Sequence, residues 1–355
     1  MSYMNSELAQ AAQARINALG MPKRNNELWS FFPVHKIPSV VDADCNCAAN
    51  GAAAGGIVAD SALANCGNFG IAAETDIAAL LPIAKSAPAM KKDFAAGETE
   101  MGLIKSRDDF GHSIFNIGKN AKVSLEILDN KVEHEIAAER FDINVEEGAE
   151  LEIFFANPAN ELPLQFRHFA IKQAANSTVH FSNILQDAGI GRISIDVDLN
   201  GEGANFDYRS LSVLKGNASK HQRLTIRHNA PNTVSSQFAR NLLDEHSYVS
   251  YDGSVIVGNG CSQVNSSQLV NSILLGDESS VSVKPVLKIY HDDVECTHGN
   301  TCGELDSDQM FYLTSRGIPA ETAKKMLMKS FAKELFLPLN DGPAKKRLLQ
   351  VLANI

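Results

Sequence analysis

The sequence of 355 residues is poor in cysteine and in clustered positive charge, and it has no long apolar run. Six cysteines are too few for a disulfide framework, so we expect reduced thiols and a cytoplasmic protein. No apolar stretch reaches the length of about eighteen residues that a transmembrane helix needs, and residues 1–20 lack the pattern of a secretory signal. The formal net charge of −10 argues against nucleic acid as a partner.

Helical periodicity is confined to the two ends of the chain. Leu8, Ile16 and Leu19 recur at helical spacing, and Gly20 ends the segment. Near the C-terminus, Asp306 with Gln309 three residues later resembles a capping box, and Gly317 is placed to stop that helix. Two further helical segments follow, so the sequence predicts a C-terminal helical subdomain.

Between these ends, short segments alternate apolar and polar residues, as half-buried strands do. In residues 149–155, for example, Leu151, Ile153 and Phe155 share one face. About eleven such segments follow residue 110 without a helix between them, which excludes a doubly wound sheet. A sandwich, a barrel and a β-helix remain, and turns at roughly ten-residue steps favour the β-helix.

We therefore predict a mainly β protein divided into three regions. Residues 1–100 form an N-terminal helical or mixed region, residues 101–302 a β-helix core, and residues 303–355 a C-terminal helical subdomain. The last of these is too small to be stable alone, so it must pack on the β region or on another subunit.

Candidate ligands for a metal or for sulfur are concentrated just before the C-terminal helices. Cys296 and His298 are the first candidates, because thiolate and imidazole suit iron, zinc or persulfide sulfur. A cysteine is often only a small buried apolar residue, and an acid pair beside a turn is usually solvated. The additional candidate ligands are Cys302, His291, Asp292 and Asp293.

The sequence resembles the SufB/SufD family of the SUF iron–sulfur cluster assembly system, and within it the SufD branch. The matching segments are RHNAPNTVSSQFARNLL, YDGSVIVGNG, KPVLKIYHDDVECTHGNTCGELD and QMFYLTSRGIPAETA. The resemblance implies a right-handed parallel β-helix flanked by N-terminal and C-terminal helical regions. It also implies pairing with a SufB-like subunit through the ends of the β-helices, and docking of a SufC-like ABC ATPase on the C-terminal helices.

The implied function is that of a non-catalytic scaffold subunit that helps iron acquisition and nascent cluster formation. Cys296 and His298 match the family's Cys-x-His pair, which places them at the subunit interface. No cofactor is expected to be stably bound, and iron or a cluster would be held transiently at that interface. The chain has no Walker motif, so the ATPase activity is expected in a partner. The residues that we expect to dock this ATPase are Met310, Phe311, Met326 and Phe331.

Three residues depart from the family pattern: Cys302 stands at a usually apolar position, Lys288 at a usually acidic one, and His291 at a usually small one. Two other functions stay open on the residues alone. One is a polysaccharide-processing enzyme, since β-helices often carry that activity, and the other is a zinc-stabilised structural module. A homodimer of the isolated chain is also open, whereas membrane and nucleic acid are not expected as partners.

Overall fold

The computed structural model describes residues 2–23, 26–29, 31–34, 74–85, 89–105, 110–128, 136–156, 164–186, 189–335 and 343–354. The helices are α1 (Ser2–Leu19), a short 3-10 turn (Glu27–Trp29), α2 (Ile77–Lys85), α3 (Ser307–Ser315), α4 (Ala320–Glu334) and α5 (Pro343–Asn354). Sixteen strands lie between α2 and α3 in this part of the chain: β1 (Met90–Phe94), β2 (Thr99–Lys105), β3 (Phe110–Ile117), β4 (Lys122–Leu128), β5 (Ala137–Val145), β6 (Glu150–Ala156), β7 (Leu164–Gln173), β8 (Thr178–Leu185), β9 (Ile190–Leu199), β10 (Asn205–Leu214), β11 (Ser219–His228), β12 (Val234–Leu243), β13 (Tyr248–Val257), β14 (Val264–Leu274), β15 (Ser280–Ile289) and β16 (Val294–Gly303).

The strands form two parallel sheets of eight, one containing every odd-numbered strand and the other every even-numbered strand. Each strand from β3 to β14 pairs in register with the strands two before and two after it, so the chain advances by one strand spacing per coil. This topology confirms the predicted β-helix and excludes the sandwich and the barrel. The first strand begins at Met90, whereas the division made from the sequence placed the start of the β-helix core at residue 101.

One corner of the column repeats from coil to coil. There, in each of the first seven coils, a residue with positive φ stands between the odd strand and the following even strand, and its N–H donates to a carbonyl of the next coil over 2.7–3.4 Å. Glycine and asparagine tolerate this left-handed conformation best, which explains why they dominate these positions. The residues are Gly97, Asn120, Gly148, Asn176, Gly203, Asn232 and Gln263.

The inward faces of the two sheets fill the column with apolar side chains. Phe141 and Phe169 stack with ring centroids 4.7 Å apart, and Phe169 meets Phe181 edge to face at 4.8 Å. At the N-terminal end, Lys92 lies over the ring of Phe94 and forms an ion pair with Glu100. This pair belongs to β1 and β2, the first strands of the two sheets.

The N-terminal elements pack on the outer face of the odd sheet, where Arg192 of β9 anchors them. Its guanidinium contacts the Asp76 carboxylate at 2.7 Å, donates to the carbonyl of Leu28 at 3.1 Å, and lies 4.2 Å from the Trp29 ring centre. Asp76 in turn accepts from the N–H of Ala78 and so caps the start of α2. One buried arginine therefore joins two separate N-terminal elements to the column.

The C-terminal helices pack on the outer face of the even sheet, and two arginines contact the end of α4. Arg209 of β10 donates to the carbonyl of Leu335 at 2.7 Å, and Arg240 of β12 donates to the carbonyl of Phe331. Cations are favourable at a helix C-terminus, where the last carbonyls lack partners within the helix. This contact explains how so small a subdomain is held in place.

The ends of α3 agree with the sequence. Asp306 accepts from the N–H groups of Asp308 and Gln309, as the capping-box pattern predicted. Gly317 has φ +84°, and Ile318 N–H donates to the carbonyl of Leu313, which is the Schellman arrangement. No residue of α3 is buried in the chain.

We predict that His228 makes stability depend on pH. Burial lowers the pKa of this imidazole to about 4, and its two nitrogens contact the hydroxyls of Thr233 and Ser235. Because the unfolded pKa is near 6.5, this contribution is complete above that pH and is lost as the pH falls toward 4, by roughly 3 kcal/mol. In His228→Gln, the free energy of unfolding measured with urea should therefore depend less on pH over this range.

The control for this experiment is His246→Gln, which removes an exposed imidazole. This variant should keep the wild-type pH profile. A His228→Gln variant with the wild-type slope would contradict the assignment.

Candidate functional site at the open end of the column

Three of the candidate ligands, Cys296, His298 and Cys302, lie on β16, the last strand of the even sheet. Its position matters because β16 pairs with β14 on one side and, among the described residues, with no strand on the other. The same holds for β15, the last strand of the odd sheet, which pairs with β13. Within the described residues, the column therefore ends at two unpaired strand edges.

Register shows which way the β16 side chains point. Ser266 and Gln268 of β14 are buried inside the column, and they pair with Cys296 and His298, respectively. Residues paired in register on parallel strands point to the same face of the sheet. Cys296 and His298 therefore project from the inward face of the last coil, two positions apart.

We call the inward face of β15 and β16 the mouth of the column. On β15, Val281, Val283, Pro285, Leu287 and Ile289 pair with inward-facing residues of β13. One wall of the mouth is thus apolar, while the other carries a thiol and an imidazole.

Burial differs between the two candidate ligands at the mouth. Cys296 and Leu287 both pack against the buried cluster that contains Val255 and Val257, and partial burial raises the pKa of the Cys296 thiol. His298 is exposed. The thiol is therefore sheltered by the apolar wall, while the imidazole is accessible from outside the column.

Cys302 does not join this pair. A parallel strand rises ~3.3 Å per residue, so Cys296 and His298 are ~7 Å apart along β16, whereas Cys302 is ~20 Å from Cys296. The two thiols therefore cannot bind one ion within one chain. No group of three or more histidine, cysteine or carboxylate side chains in the described ranges is placed to hold a metal. The described part of the chain therefore places two candidate ligands at the mouth.

The other candidate ligands lie at the corner before β16, not on its inward face. Asp293 accepts two hydrogen bonds from Gln263, one at its carbonyl and one, of 2.6 Å, at its carboxylate. This is the repeating corner contact described above, so Asp293 has a structural role. Asp292 is exposed and His291 is half-buried. The structure does not bring these three residues together with Cys296.

The four residues expected to dock an ATPase have different environments. Phe311 on α3 is 74% exposed and Met326 on α4 is 46% exposed, while Met310 is half-buried. Phe331 faces the column instead: its ring lies 4.6 Å from the guanidinium of Arg240, and it packs on the even sheet. An external partner could therefore reach Phe311 and Met326 but not the face of Phe331 that packs on the column.

Sequence reasoning missed a charged cavity of about 300 Å³ on the outer face of the odd sheet. Burial disfavours ionisation of Asp142, but Arg140 at 2.9 Å and His112 at 2.7 Å outweigh it and hold the pKa of this carboxyl well below its usual value. Asp196 is likewise buried, and Arg223 and His168 keep its pKa low. A glycosidase needs a general acid with a raised pKa, which neither carboxyl provides.

Comparison with known proteins now adds to this geometry. The sequence profile described as "SUF system FeS cluster assembly, SufBD core domain" matches residues 103–331. The chain belongs to the SufBD family. The matched region extends from β2 to α4, so it contains the mouth and the first two C-terminal helices.

Curated relatives agree with this assignment. The iron–sulfur cluster assembly protein SufD of Escherichia coli is 32% identical over 61% of this chain and 50% of its own length. A SufBD family protein of Synechocystis is 27% identical over 52% of this chain and 41% of its own. The Bacillus subtilis SufD is 25% identical over 44% and 36%, respectively. This chain therefore spans half or less of the length of these relatives.

No helix in the described part of the chain is both long enough and apolar enough to span a membrane.

Proposed function

We propose that this chain is a non-catalytic subunit of an iron–sulfur cluster assembly scaffold. In this role it pairs with a SufB-like subunit across the mouth and carries a SufC-like ATPase on its C-terminal helices. It helps iron acquisition and the formation of a nascent cluster, which is cargo and not a resident cofactor. The observation that carries the proposal is the placement of Cys296 and His298 together on the inward face of the last coil.

The chemistry of this pair suits iron that is shared between two surfaces. Cysteine thiolates hold iron–sulfur clusters, and histidine replaces cysteine at some of them. Two ligands leave the coordination of iron incomplete, so the remaining ligands must come from sulfide or from the opposing subunit. A thiol with a raised pKa and an incomplete ligand set favour transient holding over permanent binding.

The unpaired edges of β15 and β16 support a partner at this end. An exposed strand edge presents unsatisfied N–H and C=O groups to another chain. Beside these edges, Ile289 and Tyr290 are exposed by 41% and 61%. A subunit with the same fold has matching edges, so a SufB-like subunit fits this end. A second copy of this chain fits by the same argument, and the pairing experiment below separates the two.

No observation specifically favours either of the two other functions, a polysaccharide-processing enzyme or a zinc-stabilised structural module. The cavity carboxyls Asp142 and Asp196 are paired with cations and lack the raised pKa of a general acid. A zinc-stabilised module needs about four convergent ligands, and no group of three occurs in the described part of the chain.

The proposal predicts that ligand variants lose function without losing the fold. In a complex reconstituted with the SufB-like and SufC-like partners, Cys296→Ser and His298→Ala should each slow cluster formation at least about 10-fold, since each removes one of two ligands. Cluster formation is measured by absorbance and by iron and sulfide analysis. Thermal unfolding should change little for His298→Ala, because the ring is exposed.

Thr297→Ala is the matched control. Thr297 lies between the two ligands on the opposite face of β16 and is exposed, so this variant should assemble clusters at the wild-type rate. Wild-type rates in both ligand variants would refute the proposed role of the mouth.

Pairing across the mouth predicts a second result. Ile289→Asp should abolish association with the SufB-like subunit in size-exclusion chromatography with light scattering, because the charge would be buried in the interface. Val234→Asp is the control, since Val234 is equally exposed, at 40%, but lies at the start of β12, away from the mouth. If both variants associate like the wild type, pairing does not involve the mouth. If Ile289→Asp instead splits a homodimer, the partner is a second copy.

The exposed aromatic on α3 gives a third result. Phe311→Ala should weaken binding of the SufC-like ATPase by about 10-fold or more in calorimetry, because a large exposed apolar side chain that becomes buried acts as an anchor. Leu349→Ala on α5 removes a side chain that is 51% exposed and should bind normally. Phe331→Ala should lower the unfolding temperature instead. An unchanged affinity for Phe311→Ala would place the ATPase elsewhere.

A further inference from the structure

A buried glutamine lies directly beneath the imidazole of the mouth. Gln268 on β14 is paired in register with His298, and its side chain is only 3% exposed. Neither its amide nitrogen nor its amide oxygen has a hydrogen-bond partner, although both are buried. Leaving such a group unsatisfied costs about 1–3 kcal/mol, so an apolar residue would be more favourable here on packing grounds alone.

The column leaves room for this amide. A Cβ atom added to Gly253 on the opposite sheet would stand 3.0 Å from the Gln268 amide oxygen and 3.1 Å from that of Gln237. Both glutamine amides therefore lie against the one inward position of β13 that has no side chain. In the next coil this position is Pro285, whose side chain can neither donate nor accept a hydrogen bond. The polar neighbour that the register places above Gln268 is thus His298.

The amide below Gln268 is already oriented. Gln237 on β12 pairs in register with Gln268, and its amide oxygen accepts from the hydroxyl of the buried Tyr251 at 2.9 Å. This oxygen can accept a second hydrogen bond. In the structure the Gln268 oxygen also lies against Gly253, and its NH₂ makes no hydrogen bond. Rotation of the amide until the NH₂ donates to the Gln237 oxygen turns the Gln268 oxygen toward the mouth as an acceptor.

We propose that Gln268 is a positioning residue for His298. Its amide oxygen accepts the N–H of one imidazole nitrogen, which leaves the other nitrogen unprotonated and directed at the metal ion. Histidines that bind metals usually donate their second ring N–H to such an acceptor, and this contact fixes both tautomer and ring orientation. The structure places Gln268 and His298 in register without a hydrogen bond between them, so the proposed contact forms when the amide and the ring rotate toward each other. The inference rests on the proposed function only for the identity of the metal.

The test observes the ring directly in the isolated, metal-free chain. With ¹⁵N-labelled histidine, the neutral His298 ring of the wild type should show one dominant tautomer and a visible N–H signal, which is assigned by its loss in His298→Ala. Gln268→Leu should remove the N–H signal through solvent exchange and mix the tautomers. Gln268→Glu keeps an acceptor oxygen and should retain the signal. In the reconstituted complex, Gln268→Leu should slow cluster formation about 10-fold.

Stability separates positioning from a structural role. Because leucine fills the same volume as glutamine and His298 is exposed, Gln268→Leu should unfold at a temperature close to that of the wild type. Asn300→Leu is the matched control: Asn300 is an exposed amide two positions from His298 on the same face of β16, and its variant should keep the His298 signal.

Two results would overturn the inference. One is a His298 ring that exchanges freely in the wild type or is unchanged in Gln268→Leu. The other is a loss of the signal in Asn300→Leu, which would make Asn300 the acceptor. If the ring signal behaves as proposed but His298→Ala assembles clusters normally, the contact stands and the proposed function fails.

Discussion

The main constraint on this molecule is that a column of parallel strands cannot satisfy its own last coil. Every inner coil gives its backbone groups to the coils before and after it, but β15 and β16 have a neighbour on one side only within the described chain. The inward side chains of the last coil are uncovered for the same reason. At positions in register with the buried Ser266 and Gln268, Cys296 is only half-buried and His298 is exposed. The site is therefore a consequence of where the repeat stops.

In the described part of the chain, helices α1, α2, α4 and α5 of the two terminal regions pack on the sides of the column. The N-terminal elements are held to the outer face of the odd sheet by Arg192, and α4 is held to the outer face of the even sheet by Arg209 and Arg240. In each case a buried or half-buried guanidinium satisfies carbonyl or carboxylate groups at the end of a helix or turn. Packing on the sides of the column covers apolar surface and, among the described residues, leaves the edges of β15 and β16 without a further strand. The proposed assembly surface therefore differs from the surfaces on which the helices pack.

Sequence reasoning recovered the features that follow from local periodicity and missed those that depend on register. The alternation of Leu151, Ile153 and Phe155 predicted a strand, and all three are buried in the column. Strand β5 was missed because Glu139, Arg140 and Asp142 interrupt its alternation. Arg140 and Asp142 pair with each other, and Glu139 and Arg140 also pair with Arg167 of β7 and with Glu74, respectively. Strand β16 was missed because its inward face is polar. Cys302 and Cys296 looked adjacent in the sequence, but an extended strand separates them by ~20 Å.

The inward residues of the last coils are more polar than stability alone would favour, which indicates that they were selected for their chemistry. Deeper in the column, inward positions are mainly apolar, and aromatic rings stack through successive coils. Toward the mouth, one row instead runs from Tyr208 to Gln237, Gln268 and His298, and two of its amides keep buried atoms without partners. Apolar residues in this row would give a more stable column, because buried polar groups without hydrogen-bond partners cost free energy. A row that gives up stability in this way, and ends at an exposed imidazole, is best explained if the imidazole must be held in one orientation for a ligand that arrives from outside.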